Sequence, residues 1–215
     1  MITLQPHASI DKETVNGLPI ESFNGTIHVV ETPEAAEAAI ATLRQATMLG
    51  IDTETKPSFR KGKTNKVSLI QIATENECFL FRINKIGFPP ELRDLFTNPR
   101  LQKIGLSLKD DFSVLHRVED FKPQNYIELQ TLAKQYGIAD MSLQKIYAII
   151  FGKKISKAQR LSNWEAPTLS VPQQYYAALD AWACLHIYNA LLQKEPFYIN
   201  SLPLPDRKEE KNSII

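Results

Sequence analysis

Apolar positions along this chain recur with two different periods, and the changes between them mark out its elements. IHVVE reads as a short strand, and the alanines after it, with Ile40 and Leu43, repeat at helical spacing behind Thr32 and Pro33. MLGIDTE reads as a buried strand, and KVSLIQIA and CFLFRI as two more, with only the polar turn TENE between the last pair. So short a link favours an antiparallel hairpin over a parallel crossover. After a short helix around ELRDLF comes the strand LQKIGLS and a helix through DDFSVLHRV. NYIELQ is a further short strand, leading into LAKQYG, a helix that stops at Gly137. Ser142 is placed to cap the helix LQKIYAIIF, which ends at Gly152. The last helix starts near Pro172, a residue suited to a first turn, and runs to about Gln193.

Three antiparallel-capable strands followed by strand–helix alternation predict an α/β fold, a mixed sheet with helices on both faces. Residues 1–24 form a polar, loosely packed lead-in, residues 25–195 the single domain, and residues 196–215 a mobile tail in which Pro alternates with charge. With 215 residues and 43% hydrophobic composition, the chain can bury a sizeable core. Its net charge of +1 gives no overall basic field, so a nucleic-acid partner would have to be held by local patches. Cys78 and Cys184 are far apart with no CxxC spacing, which fits core thiols in a reducing compartment. No apolar stretch approaches the roughly 20 residues of a membrane span, and the N-terminus lacks the basic start and apolar run of a signal peptide. A soluble cytoplasmic protein with no membrane partner is the expectation.

Five residues carry the candidate chemistry. Asp52 and Glu54 in LGIDTET are two apart on a strand, so their side chains leave the same face. Paired carboxylates on a rigid sheet repel each other, and hard divalent cations relieve that repulsion. Taken alone, this pair also fits a solvated strand end. Tyr176 and Asp180 in YYAALDAWACLHIY are four apart on the last helix and share a face. Asp180 lies among small apolar residues, where a carboxylate needs a cation or donors. Asp111 opens the helix after LQKIGLS, a position that simple capping also explains. Adjacent Asp110 is the more exposed-looking of that pair, because Phe112, Leu115 and Val118 set the buried face. Four such carboxylates suit two magnesium or manganese ions, roughly 3.5–4 Å apart, clamping a phosphodiester for in-line attack.

LGIDTET, KIGLSLKDDFSVLH and YYAALDA together resemble the three motifs of the DEDD 3′–5′ exonucleases. The YxxxD form of the last is that of the tyrosine subgroup, DEDDy; the histidine subgroup would place His where this chain has Tyr175. Within the subgroup the chain is similar to ribonuclease D and to the exonuclease domain of the Werner syndrome helicase. VSLIQIAT and LSNWEAPTLSVPQQYYAALDAWACLHIY carry that further likeness, over about residues 25–193. The resemblance implies a ribonuclease H-like fold, a mixed five-stranded sheet with one antiparallel edge strand, flanked by helices. It also implies that Asp52, Glu54 and Asp180 ligate one ion, with Asp52 bridging to a second that Asp111 serves, while Tyr176 holds the nucleophilic water. The implied substrates are single-stranded RNA or DNA 3′ ends, released as nucleoside 5′-monophosphates.

Two basic stretches are candidates for holding the strand, KPSFRKGKTNK and KKISKAQR. Arg60, Lys61 and Lys63 in the first would overhang the site, with Phe59 as a stacking residue, and Arg160 in the second could line the phosphate path. Both stretches also read as solvated loops, and Trp164 reads better as a packing anchor than as a base platform. A non-catalytic binding module and a phosphohydrolase of small nucleotides are the rival readings of the same residues.

Overall fold

The computed structural model describes residues 7–58 and 65–194. Short polar side chains and prolines start several of the helices, including one in the lead-in that the sequence did not predict. Asp11 accepts from Thr14 N to cap α1 (Lys12–Gly17), and Thr32 accepts from Ala35 N to cap α2 (Pro33–Leu43). Between these helices lies β1 (Thr26–Val30), and after them β2 (Met48–Thr55), β3 (Val67–Ala73) and β4 (Glu77–Phe81). Next come α3 (Ile83–Ile86), α4 (Pro90–Thr97), β5 (Gln102–Gly105), α5 (Leu108–Leu115), β6 (Tyr126–Glu128) and α6 (Leu129–Gln135). The last helices are α7 (Leu143–Phe151) and α8 (Val171–Leu192). Ser142 holds the cap position of α7 but makes no side-chain cap bond, whereas Gly152, at φ 64°, ends that helix as expected. Ser170 and Gln173 form a reciprocal capping box that fixes where α8 begins.

The strands make one mixed sheet in the order β1-β4-β3-β2-β5-β6. β3 alone runs against the other five, pairing antiparallel with β4 and with β2. The sheet therefore has six strands where the resemblance implied five, and its antiparallel strand lies inside rather than at an edge. The cause is local: the turn at Thr74 folds β4 back along one side of β3, while β2 holds the other. All seven residues of β3 are buried, which its unbroken VSLIQIA pattern reflects.

One face of the sheet packs Leu69, Ala73, Leu80 and Ile104 against α8, α7 and α6; the other packs Ile70, Ile72, Phe79 and Phe81 against α2 and α4. Helix α8 presses so closely on β2 that a Cβ on Gly50 would sit 2.1 Å from the Ala181 carbonyl oxygen. Before β1, residues 7–24 form a docked arm. Val15 and Phe23 are its buried anchors, and parallel bridges tie Ala8 to Ile138 and Ile20 to Lys154. Two buried apolar residues in a polar stretch give no period, so the docking left no pattern in the sequence. Among the described residues, no helix is long and apolar enough to cross a membrane.

Candidate metal centre

The even-numbered side chains of β2 face α8, so Asp52 and Glu54 follow Gly50 along one face, while Leu49 and Ile51 anchor the strand in the opposite core. Tyr176 and Asp180, one turn apart on α8, lie over that face. Carboxylate oxygens of Asp52, Glu54 and Asp180 fall within 4.8 Å of one another. The Tyr176 hydroxyl donates a hydrogen bond to Asp180. Its ring lies beside the fully buried Trp164, at 6.0 Å between centroids, so Trp164 is a packing anchor.

Asp111 reaches the cluster from the other side. Helix α5 begins at Leu108, three residues earlier than the sequence pattern suggested, and Asp111 sits in its first turn, buried, while Asp110 is exposed. The start of α5 is capped instead by Glu128, whose carboxylate accepts from Ser107 N at 2.9 Å and Leu108 N at 2.8 Å. With that cap in place, the Asp111 carboxylate accepts from its own backbone N–H. Thr53, pointing away from Asp52 and Glu54, donates a hydrogen bond of 2.5 Å to Asp111 Oδ1.

Burial is the leading cause that raises all four carboxyls. Glu54 is pushed up to about 8, and Asp111 and Asp180 to about 7. Asp52 is raised well above its ordinary range, by burial and then by the charges of Asp111, Asp180 and Glu54. Burial and the neighbouring carboxylates also push the Tyr176 hydroxyl strongly upward, so it stays a neutral donor. Two cations oppose the cluster from the turn before α8: Arg160 lowers Glu54, and Lys157 lowers Asp180. Both are exposed and line a cleft of about 460 Å³ that opens onto Tyr176 and Asp180.

Among the described residues, none of the four carboxylates forms an ion pair. Directly across the antiparallel pair from Asp52 is Gln71, fully buried, whose Oε1 and Nε2 have no partner among the described residues. An all-oxygen donor set, mutually repelling and poorly solvated, beside an orphaned amide fits hydrated divalent cations.

The fold therefore brings together Asp52, Glu54, Asp180 and Tyr176, sets Asp111 alongside, and puts Arg160 at the cleft. Phe59, Arg60, Lys61 and Lys63 lie outside the described residues, and Lys56 at the start of their stretch is paired with Glu165 at 3.0 Å. Thr53, Gln71, Glu128 and Lys157 were not singled out from the sequence. Only Thr53, flanked by two carboxylates and of opposite strand parity to both, and Lys157, inside KKISKAQR, left a trace there.

A family model described as 3′–5′ exonuclease matches residues 27–195. The bifunctional 3′–5′ exonuclease/ATP-dependent helicase WRN of Mus musculus is 32% identical over 219 residues, covering 93% of this chain and 15% of that protein. The chain thus spans a small part of that relative's length. Among solved structures, RNase D of Escherichia coli matches with a TM-score of 0.71 at 23% identity, over 78% of this chain and 44% of the other. The Trypanosoma brucei RNase D complex with RNA U12 matches with a TM-score of 0.72 at 18% identity, over 85% and 65%. These two likenesses establish the ribonuclease H-like fold.

Proposed function

The chain belongs to the 3′–5′ exonuclease family, and we propose that it hydrolyses single-stranded RNA or DNA from the 3′ end, releasing nucleoside 5′-monophosphates with two divalent cations, Mg²⁺ or Mn²⁺, in a reducing cytoplasmic compartment. The observation that carries this reading is the Asp52, Glu54 and Asp180 triad within 4.8 Å, with the Tyr176 hydroxyl bonded to one member.

Asp52, Glu54 and Asp180 would hold one ion, and Asp111 with Asp52 the second. Bound there, the ions supply positive charge to the phosphoryl oxygens and to the departing 3′ oxygen. Tyr176 keeps its proton, donates to Asp180 and has a lone pair left to accept from water, so it can aim that water along the line of the scissile bond. The water gives up a proton to solvent as its oxygen forms the new bond to phosphorus, and the bond from phosphorus to the 3′ oxygen of the upstream nucleotide breaks, that oxygen taking a proton from solvent. Phosphate leaves on the released nucleotide, and the shortened strand keeps a 3′-hydroxyl. Glu54 would accept from the 3′-hydroxyl of the terminal nucleotide, which would exclude internal cuts. Arg160 and Lys157 offer charge to the phosphates next to it.

The test uses 5′-labelled single-stranded RNA and DNA with Mg²⁺, Mn²⁺ or chelator, beside the Asp52→Ala variant. A cation-dependent ladder shortening from the 3′ end, absent in the variant, is expected, and the faster polymer identifies the substrate. Full activity in Asp52→Ala would overturn the site assignment.

A further inference from the structure

The cleft at Tyr176 and Asp180 does not end at Arg160. Ser142, Gln144, Ile155, Ser156, Lys157 and Arg160 also line a second, larger cavity of about 710 Å³, so the two are one groove. Its far wall is the docked arm, through Lys12, Val15, Asn16 and Ile20. That arm precedes the residues 27–195 matched by the family model.

The lining is mainly cationic. Among the described residues, Lys12, Lys145, Lys154, Lys157 and Arg160 face the outer cavity, which no acidic side chain lines, and Asp180 is the sole carboxylate of the inner one. Lys145 is engaged with Asp140 at 2.7 Å, and Lys154 donates to the Asn16 carbonyl. Lys12, Lys157 and Arg160 form no ion pair among the described residues. Two large apolar side chains stand exposed among these cations, Ile20 at 65% and Leu161 at 63%. Cations beside apolar surface suit a chain that carries phosphates and bare base faces together. A duplex turns its bases inward, and a mononucleotide would leave the outer cavity empty.

We propose that the arm and the segment 153–161 form the track for the single strand upstream of the cut, with phosphates at Lys12, Lys157 and Arg160 and bases against Ile20 and Leu161. The proposal rests on the exonuclease reading for its direction, since the 3′ end must lie at Asp180.

Fluorescence anisotropy of 5′-labelled single strands of 3 and 15 nucleotides, in chelator so that nothing is cleaved, tests it on the full chain carrying Lys12→Glu and Ile20→Asp. Both positions are exposed, and an unchanged melting temperature would show that the arm stays docked. The 15-mer should bind about 10-fold more weakly, with the slope of log K against log salt reduced by about 0.7, as one fewer phosphate is neutralised. The 3-mer should bind as it does to the wild type. An unchanged 15-mer affinity, an equal loss for the 3-mer, or equally tight binding of a 15-base-pair duplex to the wild type would overturn the track. Hydrolysis of the p-nitrophenyl ester of thymidine 5′-monophosphate by the wild type is read separately. Its failure would count against the exonuclease reading, while the anisotropy still judges the groove.

Discussion

Thr53 Oγ1 lies 2.5 Å from Asp111 Oδ1 and joins a strand residue to a helix carboxylate 58 positions later. It sits between Asp52 and Glu54 yet points to the opposite side, so one three-residue segment reaches the carboxylate triad on one side and Asp111 on the other. Partners of this kind typically carry 10–100-fold of metal affinity or activity. Thr53→Val should therefore raise the Mn²⁺ concentration for half-maximal activity by about 10-fold, with stability changed by about 1 kcal/mol. A titration of activity against Mn²⁺ reads this; an unshifted curve would deny Thr53 any hold on the centre.

The cation-free protein should lose stability as pH rises. Burial, with the charges of Asp180 and Asp111 added, sets Glu54 at about 8, and burial sets Asp111 and Asp180 at about 7, all above their unfolded values. The folded state therefore binds more protons between roughly pH 4 and pH 8, and that stabilisation is lost as pH climbs through the window. In chelator the melting temperature should fall from pH 5 to pH 8, and Mn²⁺ should raise it far more at pH 8 than at pH 5. Equal Mn²⁺ effects at both values would contradict a carboxylate cluster poised for cations.

Tyr176→Phe removes one hydroxyl and keeps the ring beside Trp164. Turnover should fall by about 100-fold, the cost typical of a misplaced reactant. The Mn²⁺-induced rise in melting temperature should persist, because the variant leaves every carboxylate in place. Normal turnover would remove Tyr176 from the mechanism.

Lys103 is fully buried on β5, its ammonium donating to the Asn98 carbonyl, and burial depresses its pKa to about 8. The unfolded chain keeps the proton up to about pH 10.5. The cost of the buried charge is thus complete below pH 8 and is relieved as pH rises from 8 to 10.5. Lys103→Met should stabilise the fold by about 1–2 kcal/mol at pH 7, after the lost hydrogen bond is set against that relief. Denaturant unfolding at pH 7 and pH 10 checks both sign and trend.

What could be read from the sequence was local. Asp52 with Glu54, and Tyr176 with Asp180, announce themselves because strand and helix periods put each pair on one face. The enclosure of β3 does not, because a hairpin pattern says which strands pair but not what lies beyond them. Glu128 illustrates the same limit. Its capping of α5 depends on β6 lying beside β5, a neighbour relation that no window of sequence contains. The arm was missed because two anchors, Val15 and Phe23, dock it without any period.

At Gly50 the backbones of β2 and α8 touch with no side chain between them. The strand that carries Asp52 and Glu54 and the helix that carries Asp180 are therefore welded two residues and one residue, respectively, from the carboxylates themselves. Such a joint has no slack, so the three carboxylates behave as one rigid bracket whose aperture is set when the chain folds. Under the proposed function, any adjustment to a purine or a pyrimidine, a ribose or a deoxyribose, must come from the surrounding loops. A single methyl at residue 50 would spring the bracket from a distance, leaving every chemical group in place and none at its working separation.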